Sequence, residues 1–149
     1  MPKRISLTLA LLLGCAHGRA APDQVRRVPL RVAEGVLASP LSSALQAQQL
    51  REGLVRALLV RGFCLERNGE FEALLNVKAE MDAAGGAAVT LTIDDGKGRQ
   101  IDELPLKLSA LPATAEEAEQ AVQPLVKELE KSDALQELSD SAPLCPAAR

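Results

Sequence analysis

Residues 71–82, "FEALLNVKAEMD", alternate between apolar and polar side chains over the longest regular run in the chain. The apolar positions of this stretch are Phe71, Ala73, Leu75, Val77, Ala79 and Met81, and only Leu74 interrupts the polar positions between them. Successive side chains of a β-strand point to opposite faces of the sheet. The stretch therefore predicts a strand with one apolar face and one polar face.

The same alternation continues after two predicted turns. Ala84-Gly85-Gly86 separates the first strand from "VTLTID" (89–94), and Asp95-Gly96-Lys97-Gly98 separates the second from a third strand at Ile101–Leu108. Three such strands joined by short turns predict an antiparallel meander. A sheet with one polar face needs helices on its other face only, which favours two layers over three.

The segment before the meander predicts a strand, a helix and a short strand. Residues 28–32 alternate in polarity. Pro29 lacks the N–H that an inner strand would donate, so this strand is expected at a sheet edge or bulged at Pro29. Apolar residues at helical spacing then predict a helix over 45–62, with Gly62 at its end. Phe63–Glu66 is a short strand candidate.

A second helix is predicted after the meander. Thr114 and Glu117 have capping-box spacing, and Pro124 should kink the helix that they begin. Pro105 places the third meander strand at or near an edge. We therefore predict an α+β fold, a two-layer sandwich with a mixed sheet of about five strands. Strand–helix–strand precedes the antiparallel meander, and two helices pack on one face.

The first fourteen residues have the layout of a secretory signal peptide. A short basic start precedes an apolar run at Ile5–Leu13, about half of the roughly 20 residues that span a membrane. "LLGC" (12–15) resembles the lipobox of bacterial lipoproteins, in which the cysteine thiol receives a diacylglyceryl group and the peptide is cut before the cysteine. The resemblance implies cleavage between Gly14 and Cys15 and lipidation of Cys15.

An ordinary signal peptide cut near Arg19-Ala20-Ala21, which would discard Cys15, is the alternative. In the lipoprotein interpretation, Ala16 stands where an aspartate could, which by analogy with enteric bacteria favours the outer membrane. Two or three acyl chains anchor a protein firmly, whereas one chain binds only marginally. We expect a protein that is lipid-anchored to the outer membrane and faces the periplasm.

The chain of 149 residues divides into four predicted parts. Residues 1–14 are the signal peptide, 15–26 a lipidated tether, 27–140 a single α+β domain and 141–149 a C-terminal tail. One domain of this size can bury a core. Cys64 and Cys145 remain after lipidation, and in an oxidising compartment two thiols most simply form a disulfide. Two independent thiols are the alternative.

The composition excludes several classes of function. Without Lys3 and Arg4, 15 basic residues stand against 20 acidic ones, and two phenylalanines are the only aromatic residues. A nucleic-acid partner is therefore not expected. His17 is the only histidine and lies in the tether, which excludes a histidine triad and a multi-histidine metal site. No cofactor and no metal are predicted.

No motif predicts catalysis. Asp94–Gly98 could hold an ion, but it lacks the ligand spacing of a calcium loop and the context of a phosphate loop, so a hairpin turn is preferred. Adjacent carboxylates at Asp102-Glu103 and Glu116-Glu117 could serve a hydrolase. Solvated surface is the preferred interpretation of both pairs.

The body of the chain resembles small periplasmic α/β domains of bacterial lipoproteins. "LVRALLVRGF" (54–63) and "VTLTIDDGKGRQI" (89–101) are similar, in order and pattern, to segments of the curli-secretion lipoprotein and of the amino-terminal domain of TolB. The resemblance covers residues 28–130 and implies fold and compartment. The pore-forming insertions of the curli protein have no counterpart, so a secretion channel is not implied.

The leading functional hypothesis is a lipid-anchored, non-catalytic interaction or accessory module of the cell envelope, a subunit of a larger assembly. A periplasmic binding protein for a small or polymeric envelope ligand is the alternative, and a carboxylate-dependent hydrolase is the third. A protein partner would contact an exposed sheet edge at Ile101 and Glu103, or the polar sheet face at Leu74 and Lys78.

Overall fold

The computed structural model describes residues 22–38 and 44–147. Its elements, in chain order, are α1 (Pro22–Val25), β1 (Leu30–Ala38), α2 (Ala44–Val60), β2 (Ala73–Met81), β3 (Ala87–Asp95), β4 (Gln100–Leu108), α3 (Ala115–Ala121), α4 (Gln123–Leu129) and α5 (Asp133–Ser141). The strands form one mixed sheet in the order β1-β2-β3-β4. β1 and β2 are parallel, and the other neighbouring strands are antiparallel.

The α+β class and the antiparallel meander are confirmed, but about five strands is one too many for the described part of the chain. Phe63–Glu66 forms only an isolated bridge between Leu65 and Leu30. Leu30 donates to the Cys64 carbonyl (3.0 Å) and accepts from the Glu66 N–H (2.8 Å). Residues 67–69 then bend the chain away, so the ladder ends after one residue pair.

The predicted number of helices, two, is also too low, because the described residues form five. The helix predicted after the meander is divided into α3 and α4 at Val122, with Pro124 in the first turn of α4. Thr114 caps α3 by accepting the Glu117 N–H, as predicted. α5 is a separate helix with Ser132 as its N-cap. Pro124 explains the division because its ring excludes the backbone of the preceding turn.

The core lies on one face of the sheet. The alternate residues of β2 and β3 that point to this face are buried: Ala73, Leu75, Val77, Ala79, Ala87, Val89, Leu91, Ile93 and Asp95. Buried residues of the helices join them in one cluster, among them Leu50, Leu54, Leu58, Leu125, Val126, Leu129 and Leu135. The opposite face of these two strands is half-buried or exposed, as the alternation in the sequence predicts.

α2 ends in the manner that its glycine predicts. Gly62 has a φ of +82°, in the left-handed region that favours glycine. Its N–H bonds the Leu59 carbonyl (3.0 Å), and the Phe63 N–H bonds the Leu58 carbonyl (3.0 Å). This is the bonding pattern of a Schellman motif. The buried Phe63 then leads the chain back towards the sheet.

A close contact with α3 requires a second glycine of α2. A Cβ atom built on Gly53 would lie 2.4 Å from the Ala118 Cβ and 2.6 Å from the backbone of α3. Both residues are fully or almost fully buried. The two small residues therefore set how closely the helices approach.

We expect Gly53→Ala to lower the free energy of unfolding by about 1–3 kcal/mol, because the added methyl group forces α2 and α3 apart. The gain in helix propensity, about 1 kcal/mol, offsets only part of this overpacking. Urea denaturation of the full chain in detergent measures the change. Gly35→Ala is the matched control, since nothing lies within 4 Å of its added Cβ. Equal destabilisation by both variants would contradict the close helix contact.

Candidate functional site

β1 contains a bulge in its middle. Val32 pairs with Leu75 and Val36 pairs with Val77, so residues 33–35 of β1 stand opposite Asn76 alone. Extra residues of this kind leave backbone groups outside the ladder and bend the strand. Arg51 of α2 bonds two carbonyls at the start of the bulge: its Nε donates to the Ala33 carbonyl (2.7 Å) and its Nη2 donates more weakly to the Val32 carbonyl (3.4 Å).

A cleft of about 400 Å³ opens beside this bulge. It lies between β1, α2 and the segment that follows α2, and we call it the β1 cleft. Its lining residues are Arg31, Val32, Glu34, Arg51, Val55, Leu65, Glu66, Arg67 and Asn68. The volume falls within the range of small-molecule sites, roughly 300–1,000 Å³.

Three arginines line the β1 cleft, and their side chains differ in how many contacts hold them in place. Arg31 stacks over the Phe71 ring (4.3 Å) and donates to the Gly69 carbonyl (2.6 Å). Its Nε is buried and has no hydrogen-bond partner among the described residues. Arg51 is fixed by the bulge, whereas Arg67 has no hydrogen bond or ion pair in the described part of the chain.

Cys64 and Cys145 lie next to this region, and the structure joins their sulfur atoms in a disulfide. Their Cα atoms are 6.5 Å apart, within the usual range for disulfides, across 81 positions of sequence. The Cys64 N–H bonds the Arg26 carbonyl (2.8 Å), and the Cys145 N–H bonds the Arg27 carbonyl (2.8 Å). The Arg27 Nε in turn donates to the Cys145 carbonyl (2.8 Å).

Parts of the predicted tether and tail pack into the domain at this point. Val25 and Val28 are fully buried, and α1 contacts α5. Leu144 is half-buried against the core. Residues 22–26, assigned from the sequence to the tether, therefore belong to the folded unit, and so do the described residues of the tail around Cys145.

Glu66 approaches the cysteine pair. One carboxylate oxygen of Glu66 lies 4.0 Å from the Cys64 sulfur, and ligand atoms of Cys64, Glu66 and Cys145 all lie within 4.8 Å of one another. Two thiolates and a carboxylate are a donor set that suits zinc. The disulfide removes both thiolates, so the set can serve a metal only after reduction.

The predicted partner-contact residues lie outside the β1 cleft, in two groups. Leu74 and Lys78 are on the polar face of β2, where Leu74 is half-buried and Lys78 pairs with Glu80 (2.6 Å). The Glu80 carboxylate raises the pKa of Lys78, chiefly through this hydrogen bond. Ile101 and Glu103 are in β4, at one edge of the sheet.

The β4 edge has few outward donors. Pro105 pairs with Thr90 but has no N–H, and the Glu103 N–H bonds the Asp102 carboxylate (2.8 Å). In an edge strand, the backbone groups of every second residue point away from the sheet. Glu103 and Pro105 are two residues apart, so both belong to the outer side of β4. Ile101 is half-buried beside a register shift in the pairing of β3 with β4. Among the described strands, the two edge strands are β1, which begins directly after Pro29, and β4, which contains Pro105. The predicted edge positions are therefore confirmed.

The carboxylate pairs that could have served a hydrolase do not converge. The Asp102 carboxylate accepts from the Ser132 hydroxyl (2.5 Å), whereas Glu103 is exposed and accepts from the Gln100 amide (3.0 Å). Glu117 accepts from the Ala113 N–H (2.9 Å).

The Glu116 side chain forms an ion pair with an arginine. Its carboxylate accepts from Arg56 (2.7 Å), and this hydrogen bond is the main reason that the pKa of Glu116 lies below its usual value. The four carboxylates therefore have separate structural partners.

The Asp94–Gly98 segment is the predicted hairpin. The buried Asp95 carboxylate accepts from the Lys97 and Arg99 N–H groups and from the Arg99 Nε, at 2.8–2.9 Å. The backbone hydrogen bond from Arg99 lowers the pKa of Asp95 most strongly, against the effect of burial. Asp95 therefore organises the turn as a carboxylate.

Gly14 and Cys15 lie outside the described residues. Among the residues that the structure does describe, no helix is long and apolar enough to cross a membrane.

Comparisons with known proteins show no family for this chain. No family model matches it, and no curated protein matches it. Among solved structures, a single-residue variant of the PelC dodecamer from Paraburkholderia phytofirmans is 9% identical, with 70% of this chain and 86% of that chain covered and a TM-score of 0.49. The PelC dodecamer in a second crystal form is 10% identical, with 70% and 87% covered and a TM-score of 0.48.

A third solved structure, of an uncharacterized protein, is 16% identical, with 77% of this chain and 88% of that chain covered and a TM-score of 0.29. Likenesses of this strength do not establish a shared function. The resemblance to curli-secretion and TolB-type domains stays a prediction.

The sequence did not reveal the three arginines of the β1 cleft. Arg31 reads as an ordinary polar residue of an alternating strand, Arg51 as the flank of an amphipathic helix and Arg67 as part of a turn. No sequence signal is common to them, because Arg31 lies in the predicted edge strand, Arg51 inside the predicted helix and Arg67 after the short strand candidate. The bulge and the bridge at Leu65 bring these three segments together.

We expect Cys64→Ser/Cys145→Ser to unfold at lower denaturant concentration than the wild type, because the bridge closes a long loop in the unfolded chain. The chain-entropy model gives a loss of about 4–5 kcal/mol for such a loop, and measured losses are often smaller. Intact mass after alkylation, with and without reductant, tests the bond itself. Wild-type protein in reductant should match the double variant in stability. Two thiols that alkylate freely without reductant would contradict the bridge.

Proposed function

We propose that this protein is a lipid-anchored, non-catalytic interaction module of the bacterial cell envelope. Cys15 would carry the lipid, and the domain would face the periplasm from the outer membrane. The observation that carries the proposal is the juxtaposition of Cys64 and Cys145 in one folded unit. Disulfides persist in oxidising compartments, so this pair fits the export that the lipobox pattern implies.

The two sheet edges favour different roles. The outer edge of β1 is occupied at Leu30 by the Cys64–Glu66 segment and is then broken by the bulge. β4 has no strand neighbour on its outer side among the described residues. An extended segment of a partner could add to a free edge through backbone hydrogen bonds. In this proposal β4 is the partner-binding edge.

The lack of free outward N–H groups at two positions of β4 favours pairing with a selected partner strand. Glu103 and Pro105 offer outward carbonyl groups but no free N–H. Such an edge is a poor template for indiscriminate strand addition. A partner that supplies the donors could still pair with it. The two-layer arrangement would keep the polar sheet face, with Leu74 and Lys78, as a second surface open to solvent.

A non-catalytic role is supported by the assignments of the candidate carboxylates. Asp102 bonds Ser132, Glu103 bonds Gln100 and Glu116 bonds Arg56. Each of these three groups has a structural partner of its own. Acid–base catalysis by two carboxylates requires that they flank one bond of the substrate.

The anchor is testable by metabolic labelling. Cells fed labelled palmitate should incorporate label into the wild-type protein and not into Cys15→Ala, because only the lipobox cysteine accepts the acyl-bearing group. Cys64→Ser/Cys145→Ser is the matched control and should stay labelled. Equal labelling of wild type and Cys15→Ala would refute the anchor.

The partner-binding edge is testable by affinity capture from detergent-solubilised envelope. Ile101→Pro should weaken capture of the partner because it removes a backbone donor from β4 at the existing register shift. Glu103→Lys should weaken capture less, because it changes charge and leaves the backbone intact. Unfolding curves of each variant separate lost capture from lost folding.

Lys78→Glu is the comparison that distinguishes the edge from the polar face. Lys78 is exposed on that face. If Lys78→Glu abolished capture while folded Ile101→Pro captured normally, the polar face and not the β4 edge would bind the partner.

A further inference from the structure

The β1 cleft concentrates positive charge in a chain that is acidic overall. The chain has a formal net charge of −3, yet Arg31, Arg51 and Arg67 line one cleft of about 400 Å³. Guanidinium groups present planar pairs of N–H donors that match an anionic oxygen pair. Their convergence points to an anion-bearing ligand.

Two of the arginines are held in place before any ligand arrives. Arg51 uses Nε and Nη2 on backbone carbonyls of the bulge, and its Nη1 has no hydrogen-bond partner among the described residues. Arg31 is restrained by the Phe71 ring and the Gly69 carbonyl. Restraint of this kind lowers the entropy lost on binding.

Arg67 differs because nothing in the described part of the chain engages it. It follows Glu66 on the segment that closes one side of the cleft. A charged side chain without a partner can turn towards a ligand at no cost in protein contacts. Arg67 is therefore the residue whose replacement tests binding with the least effect on folding.

The acidic residues of the β1 cleft narrow the class of anion. Glu34 and Glu66 share the cleft with the three arginines, which leaves a local excess of one positive charge. A monovalent carboxylate matches that excess better than a divalent phosphate. The glutamates and Asn68 can accept hydrogen bonds from hydroxyl or ammonium groups of the same ligand. Val32, Val55 and Leu65 add an apolar wall.

The backbone beside the cleft favours a small molecule over a peptide strand. Leu30 already bonds the segment Cys64–Glu66, and the carbonyls of Val32 and Ala33 already accept from Arg51. An incoming strand would find no continuous row of free backbone groups along this half of β1. The ligand must be recognised through side chains.

We propose that the β1 cleft binds a small organic carboxylate that also carries hydrogen-bond donors, of the class that includes uronic acids and amino acids. The carboxylate contacts Arg51 and Arg67, and the donor groups face Glu34 and Glu66. This site is separate from the β4 edge, so either function can hold or fail without the other.

Calorimetry on the full-length protein in detergent tests the site with two matched pairs of compounds. Galacturonate is compared with galactose, and alanine with alaninamide, because each pair differs by the carboxylate. At least one acid should bind saturably and its neutral partner should not. The pair that responds identifies a sugar acid or an amino acid as the source of the carboxylate.

Arg67→Gln should weaken binding of the responding acid by about 10-fold or more, the effect of losing a charge-assisted hydrogen bond. Lys127→Gln is the control, since Lys127 is an exposed cation on α4 that does not line the cleft. It should leave the affinity unchanged.

Three results would each overturn the proposal. They are failure of both acids to bind, tighter binding of inorganic phosphate than of either acid, and equal affinity of the wild type and Arg67→Gln for the acid that binds.

Discussion

The sheet has one apolar face, and the helices of this domain are arranged to cover it. β2 and β3 present unbroken rows of buried residues, such as Leu75 and Leu91, on that face alone. Helices must cover these rows. Because Gly53 has no side chain, α2 and α3 can lie close enough together to do so. The opposite face of the same strands is half-buried or exposed among the described residues and can therefore stay polar.

Local signals account for the part of the fold that the sequence predicts. The alternation of 71–82 gives the meander, Gly62 gives the end of α2, and Pro124 gives the break after α3. Each of these signals determines the conformation of only the few residues around it. The bulge in β1 and the single bridge at Leu65 depend instead on how strands meet, since register is set by tertiary contacts. For this reason the sequence predicts a fifth strand at Phe63–Glu66, where the structure forms a single residue pair.

The candidate cleft depends on the same non-local geometry. Arg31 lies on a strand, Arg51 on the crossover helix and Arg67 beyond it, so no spacing in the sequence relates them. The bulge relates them, because its freed carbonyls draw the Arg51 guanidinium to β1. A departure from regular pairing thus produces both an irregular edge and a concave surface. Predicted contact residues on β2 and β4 followed regular strand patterns and therefore fell elsewhere.

The difference between the two sheet edges limits the stoichiometry of any self-assembly. A fibre that grows by strand addition needs two complementary open edges in each copy, so that every added copy leaves one edge free to pair with the next copy. In this protein the first half of β1 is already satisfied by the Cys64–Glu66 segment and by Arg51. Pairing through β4 consumes the one regular edge of each copy in the described sheet. Among the described strands, growth beyond a pair by strand addition would therefore have to use the second half of β1 or undo the bridge at Leu30.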